Sequence, residues 1–176
     1  MGLISPDVAA APGGGFLVIW QELNPAFNGP SRIHAQRFDS QGARTGGESQ
    51  FSTVGRASTV RMAVLPPDLF LVSWSVTGNT ASDVLAQRLD ASGQAVGSLV
   101  QVALQMPGVA QGVVPVGYSG GGFSVVWAHW ALGHLELTGL FGRRFAADDA
   151  AVGARAATGL ICGPRCAARR APVATR

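Results

Sequence analysis

The chain has 176 residues, 47% hydrophobic and 13% charged, with 24 glycines and 10 prolines, too broken for a helical bundle and too apolar for a disordered segment. Its formal charge is +3, but five of the thirteen arginines fall in residues 155–176, and residues 1–154 hold eight arginines against ten acidic side chains. No folded basic groove for nucleic acid is expected from that distribution, and no apolar run is long enough for a membrane-spanning helix.

The elements, in chain order, repeat. Residues 8–11 form a short apolar run, followed by Pro12-Gly13-Gly14-Gly15 and then Phe16-Leu17-Val18-Ile19-Trp20. Residues 33–38 (Ile-His-Ala-Gln-Arg-Phe) come next, then Asp39-Ser40-Gln41-Gly42, and a last strand is expected near 48–53. A second copy runs through residues 62–65, Pro66-Pro67-Asp68, Phe70-Leu71-Val72-Ser73-Trp74, residues 84–89, Asp90-Ala91-Ser92-Gly93 and residues 98–103. The third has residues 112–118, Ser119-Gly120-Gly121-Gly122, Phe123-Ser124-Val125-Val126-Trp127, residues 140–145, Ala146-Ala147-Asp148-Asp149 and residues 152–156. Trp20, Trp74 and Trp127 are spaced by 54 and 53 residues, and Gly46, Gly97 and Gly153 recur after the turns.

At period 2, Phe, Val and Trp share one side of each strand, so all three indoles are expected in a core. Asp-x-x-Gly is a turn in which the carboxylate bonds the backbone ahead and Gly supplies positive φ. The fold class is therefore all-β: three tandem four-stranded antiparallel repeats, about 6–57, 58–110 and 111–158, forming a partial β-propeller, with a twelve-stranded β-sandwich as the alternative. Three blades do not close a ring, since propellers run from about four to eight. A homodimer or further blades is the partner expected to complete it. Residues 159–176, with Cys162 and Cys166, leave the repeat for Ala, Arg and Pro and are expected to be disordered.

The recurrent Gly-Gly-Phe-x-Val-x-Trp followed by Ala-Gln-Arg-(Phe/Leu)-Asp-x-x-Gly resembles the tandem repeats of large, mostly uncharacterised, predicted secreted bacterial proteins with propeller-like domains. The likeness covers roughly residues 6–157. It implies an extracellular or cell-surface binding role, although no signal peptide is visible in this sequence.

The candidate chemistry is sparse. His129, His134 and Glu136, with Trp130, mark the third Trp-following hairpin; their donors suit zinc, but the other copies lack them and the spacing of a zinc site is missing, so the hairpin is read as a contact surface and no metal is expected. Asp39, Asp90, Asp148 and Asp149 are too few per loop for calcium and are read as turn caps. The glycine triplets lack the Lys-Ser/Thr of a phosphate loop, and no cofactor is implied. Arg37, Arg88 and Arg144 recur behind each Trp; they either bind an acidic glycan or lie over aromatic rings and pair with a strand-end carboxylate. No Gly-x-Ser-x-Gly elbow is present. The chain is read as a non-enzymatic module binding a glycan or protein, with a structural spacer as the alternative and a glycoside hydrolase using Glu22, Asp83 or Glu136 as a lesser one.

Overall fold

The computed structural model describes residues 2–23, 29–131 and 137–158. These form twelve strands and no helix: β1 (Gly2–Ala10), β2 (Phe16–Leu23), β3 (Arg32–Phe38) and β4 (Arg44–Ser52); β5 (Ala57–Leu65), β6 (Leu69–Thr77), β7 (Ala81–Leu89) and β8 (Ala95–Pro107); β9 (Val109–Gly117), β10 (Phe123–Trp130), β11 (Leu137–Phe145) and β12 (Ala151–Thr158). Each set of four is one antiparallel sheet in sequential order. There are three sheets rather than the two of a sandwich, and they stack face to face like successive blades. Between sheets, the first strand of the second sheet, β5, lies against both β1 and β9, and β9 also packs across β6. The described residues contain no helix long and apolar enough to cross a membrane.

The turns follow from their residues. Asp39 Oδ1 accepts the backbone N–H of Gln41 and Ala43, both at 2.9 Å, and Asp90 Oδ1 accepts those of Ser92 and Gln94, also at 2.9 Å. Burial raises the Asp90 carboxyl, but the Ser92 hydroxyl and the N–H groups of Gln94, Ser92 and Gly93 outweigh it and hold the group below the usual aspartate value. In the third sheet Asp148 caps Ala150 and Asp149 takes the positive φ of +66° that Gly42 and Gly93 take elsewhere.

Two irregularities repeat in every sheet. Opposite each Trp, the first strand carries one extra residue, so that two face one: Ser5-Pro6 against Trp20, Thr59-Val60 against Trp74 and Gly112-Val113 against Trp127, and the register slips there. A bulge of this kind bends the strand and breaks its alternation. The fourth strands bulge where residues 46–48 face Gln36, 97–99 face Gln87 and 153–155 face Arg143. Gly46, Gly97 and Gly153 open these bulges with φ of +71°, +71° and +72°, which a residue with a Cβ adopts at a cost. The Gln36 amide donates to Thr45 O at 3.4 Å and Gln87 to Val96 O at 2.8 Å, satisfying carbonyls that the broken ladder leaves.

Stacking is polar, in the sense of head and tail. The aromatic face of the second sheet (Phe70, Val72, Trp74) packs on the aliphatic face of the first (Leu17, Ile19, Ile33, Ala35). The aromatic face of the third (Phe123, Val125, Trp127, Phe145) packs on Leu71, Val84, Ala86, Val100 and Val102 of the second. Trp74 and Trp127 are essentially inaccessible. The expectation that all three indoles are core is corrected at Trp20. It is half-buried, because no described element covers that side of the first sheet, whose burial falls instead on Leu17 and Ile19. The first strands also begin earlier than their apolar runs suggest, at Gly2, Ala57 and Val109, because the bulges interrupt the alternation that marks a strand in sequence.

Candidate functional site

The strand ends define two rims. One bears the Asp-x-x-Gly turns and the glycine triplets. The other bears the Trp-following hairpins and the connections between sheets.

The candidate residues divide between these rims and do not converge. Arg37, Arg88 and Arg144 pair with Thr45, Val96 and Val152 near the turn rim. Arg88 is buried and reaches from the second sheet into the third: its Nε and Nη2 donate to Asp149 Oδ1 at 2.9 and 2.7 Å, Nη2 donates to Ala147 O at 3.1 Å, and the guanidinium lies 5.3 Å from the Phe123 ring centre. Arg144 lies over the Tyr118 ring, and Arg37 donates to Gly14 O. Three residues in one register thus have three environments, and only Arg88 combines an aromatic face with a carboxylate.

Trp130 and His129 end β10 at the hairpin rim. His129 Nε2 lies 2.8 Å from Pro107 O and its ring meets Phe141 edge-on. His134 and Glu136 lie outside the described residues, as does the tail at 159–176 with Cys162 and Cys166. Among the described residues no group of three His, Cys, Asp or Glu is placed to hold a metal. Glu22 and Asp83, the acids weighed for glycoside hydrolysis, are engaged elsewhere. Glu22 contacts His34 at 3.0 Å and Arg32 at 3.7 Å, while Asp83 accepts the Gln105 N–H at 2.7 Å. His34 itself stacks on Trp20, with its second ring nitrogen 2.6 Å from Glu48.

On the hairpin rim a cleft of about 520 Å³ opens where residues of the three first strands come together. Ile4 and Ser5 from β1, Ala57, Ser58 and Arg61 from β5, and Val109 and Gln111 from β9 line it, with Arg56 from the connection between sheets. Both arginines are exposed, and no acid is among the described lining residues. In register, Arg61 opposite Ser73 corresponds to Val114 opposite Val126, and Arg56 in Gly55-Arg56-Ala57 corresponds to Val109 in Gly108-Val109-Ala110. These two arginines carry no repeat signal, because the repeat marks only what the copies share. The signal that would have found them is a charge where the sister copy has valine.

Compared with known proteins, the chain matches no family model and no curated protein significantly.

Proposed function

We propose that the chain is a non-catalytic binding module of an extracellular or cell-surface protein and that its ligand is an acidic glycan held at the hairpin rim. One observation carries this reading: a cleft of about 520 Å³ that gathers Arg56, Arg61, Ser58 and Gln111. Guanidinium groups pair with carboxylates and sulfates in a fixed geometry, and neighbouring hydroxyl and amide groups match sugar hydroxyls. The extracellular setting rests on the resemblance of the repeats. The non-enzymatic reading draws support from the engagement of Glu22 and Asp83 outside the cleft, because glycoside hydrolysis needs two carboxylates about 5–10 Å apart across the bound sugar.

The test is retention on immobilised uronic-acid and sulfated oligosaccharides against neutral ones. Binding should be selective for the acidic series, weaken as salt rises, and be lost in the Arg56→Gln/Arg61→Gln double variant while its circular dichroism stays unchanged. Equal retention of neutral sugars, or undiminished retention by the double variant, would refute the assignment, and failure to retain any glycan would favour the spacer reading.

A further inference from the structure

We infer that this chain self-associates head to tail: the uncovered face of the third sheet in one copy covers the aromatic face of the first sheet in a second copy. The inference is independent of the glycan reading and rests on the two junctions already present inside the molecule. In both, an aromatic face receives the aliphatic face of the sheet before it. Every sheet therefore has two different sides, and among the described residues the stack leaves one of each uncovered.

The uncovered side of the first sheet has the residues that are covered in the other two. Phe16, Val18 and Trp20 stand where Phe70, Val72, Trp74 and Phe123, Val125, Trp127 stand, yet they are only half-buried. The cross-strand stack of Phe16 on Phe38, 5.0 Å between ring centres, matches that of Phe123 on Phe145 at 4.8 Å. Leu3 and Val8 on β1 are 66% and 59% exposed. His34 replaces an apolar partner of Trp20, but both its ring nitrogens are occupied by Glu48 and Glu22, so covering this face orphans neither.

The uncovered side of the third sheet is its counterpart. Val114, Val116, Val126 and Val152 share that face and are 40–49% exposed. Of the nine large exposed hydrophobic residues among those described, six lie on these two faces. Arg144 occupies on this side the position from which Arg88 clamps the next sheet, and a groove of about 460 Å³ opens beside it between Tyr118 and Val152.

The turn of the first sheet is also shaped for a neighbour. At Gly93 an added Cβ would meet Ala35 Cβ at 2.8 Å and Ser49 Oγ at 2.9 Å, both in the preceding sheet, and Gly93 O accepts the Ser49 hydroxyl at 2.7 Å. Gly42, at the same place in the first sheet with φ +81°, meets nothing within 4 Å. A second copy supplies what is missing on both sides, because each molecule carries both halves of the junction. Two equivalent head-to-tail contacts around a twofold axis close six sheets into a ring, within the usual span of about four to eight. Closure also removes two apolar faces from water.

Light scattering after size exclusion tests the inference. The full chain should run as a dimer at micromolar concentration. Val18→Asp on the aromatic face and Val126→Asp on the third sheet should each give folded monomers, and mixing them should restore a one-to-one dimer through the one junction with both faces intact. Val8→Lys and Val116→Lys, at more exposed positions, repeat the experiment if either Asp variant misfolds. A monomeric wild type, an assembly larger than a dimer, a dimer of the Val126→Asp chain, or variants that stay apart on mixing would each overturn it.

Discussion

Removing the Arg88 guanidinium should unlatch the second sheet from the third, and the size of the effect can be worked from its contacts. Its side chain is 9% exposed against 29% for its partner Asp149. Deleting one member of a fully buried pair costs about 3–5 kcal/mol, because the survivor keeps an uncompensated charge. Asp149 is exposed enough to recover water, which lowers that figure. What remains is the loss of charged hydrogen bonds to Asp149 Oδ1 and the Ala147 carbonyl, at about 1.5–3 kcal/mol in total for such groups, and of the stacking on Phe123, at about 0.5–1 kcal/mol. Arg88→Ala should therefore destabilise the protein by about 2–4 kcal/mol, or about 4–16 °C in Tm for a chain of this length.

Urea unfolding followed by tryptophan fluorescence is a suitable assay, since Trp127 lies in the affected junction. Protein concentration must be held constant so that association does not enter the comparison. Arg37→Ala is the internal control: the same register, one backbone acceptor, and an expected loss within about 0.5 kcal/mol. A double-mutant cycle of Arg88→Ala with Asp149→Ala should return a coupling of about 1–2 kcal/mol. If Arg88→Ala lies within error of the wild type, or Arg37→Ala costs as much, the clamp reading of this recurrent arginine is wrong.

Two further outcomes follow from the turns. In the Val18→Asp background, Gly42→Ala should lose only the left-handed backbone cost, about 1 kcal/mol, whereas Gly93→Ala should lose about 1–3 kcal/mol more by overpacking against Ala35, Ser49 and Leu17; equal losses would contradict the junction geometry. The Asp90 carboxyl titrates lower in the folded chain than in the unfolded one, so its contribution is complete above the ordinary aspartate value of 3.8 and is lost as pH falls through the folded value. Asp90→Asn should accordingly be less stable than the wild type near neutral pH by a margin that shrinks in acid, and a margin constant from pH 7 to pH 3 would rule out that linkage.

The legible part of the fold is the part fixed by neighbours in sequence. The Asp-x-x-Gly turns appear because one carboxylate and one positive φ suffice to make them, and the strand triplets appear because alternation is local. The first halves of β1 and β5 give no strand signal for a reason equally local: Ser5-Pro6 and Thr59-Val60 are bulged out of register opposite the indoles, so the alternation that would mark a strand is broken there. Trp20, by contrast, could not be read from its motif. It shares every local feature with Trp74 and Trp127, and its exposure is decided by whether another sheet lies over it. The same holds for Arg37, Arg88 and Arg144, where one register gives a backbone contact, a buried clamp and an exposed ring contact.

That contrast separates two uses of a repeated sequence. Positions on which the copies agree, the aromatic triplet, the bulge glycine and the turn, build a junction, and a junction is complete only when two unlike faces meet. Positions on which they differ are released from that duty. Arg56 and Arg61 stand where the third copy has Val109 and Val114, and in the second sheet they fall at the meeting point of the first strands instead of on an outer face. A head-to-tail dimer would bring a second set of these strands to the same axis and enclose the cleft. Ring closure and ligand capture are then coupled through one geometry: a glycan that spans the axis favours the closed ring, and the Val18→Asp monomer should hold it more weakly even though Val18 lies on the outer face of the first sheet, away from the cleft.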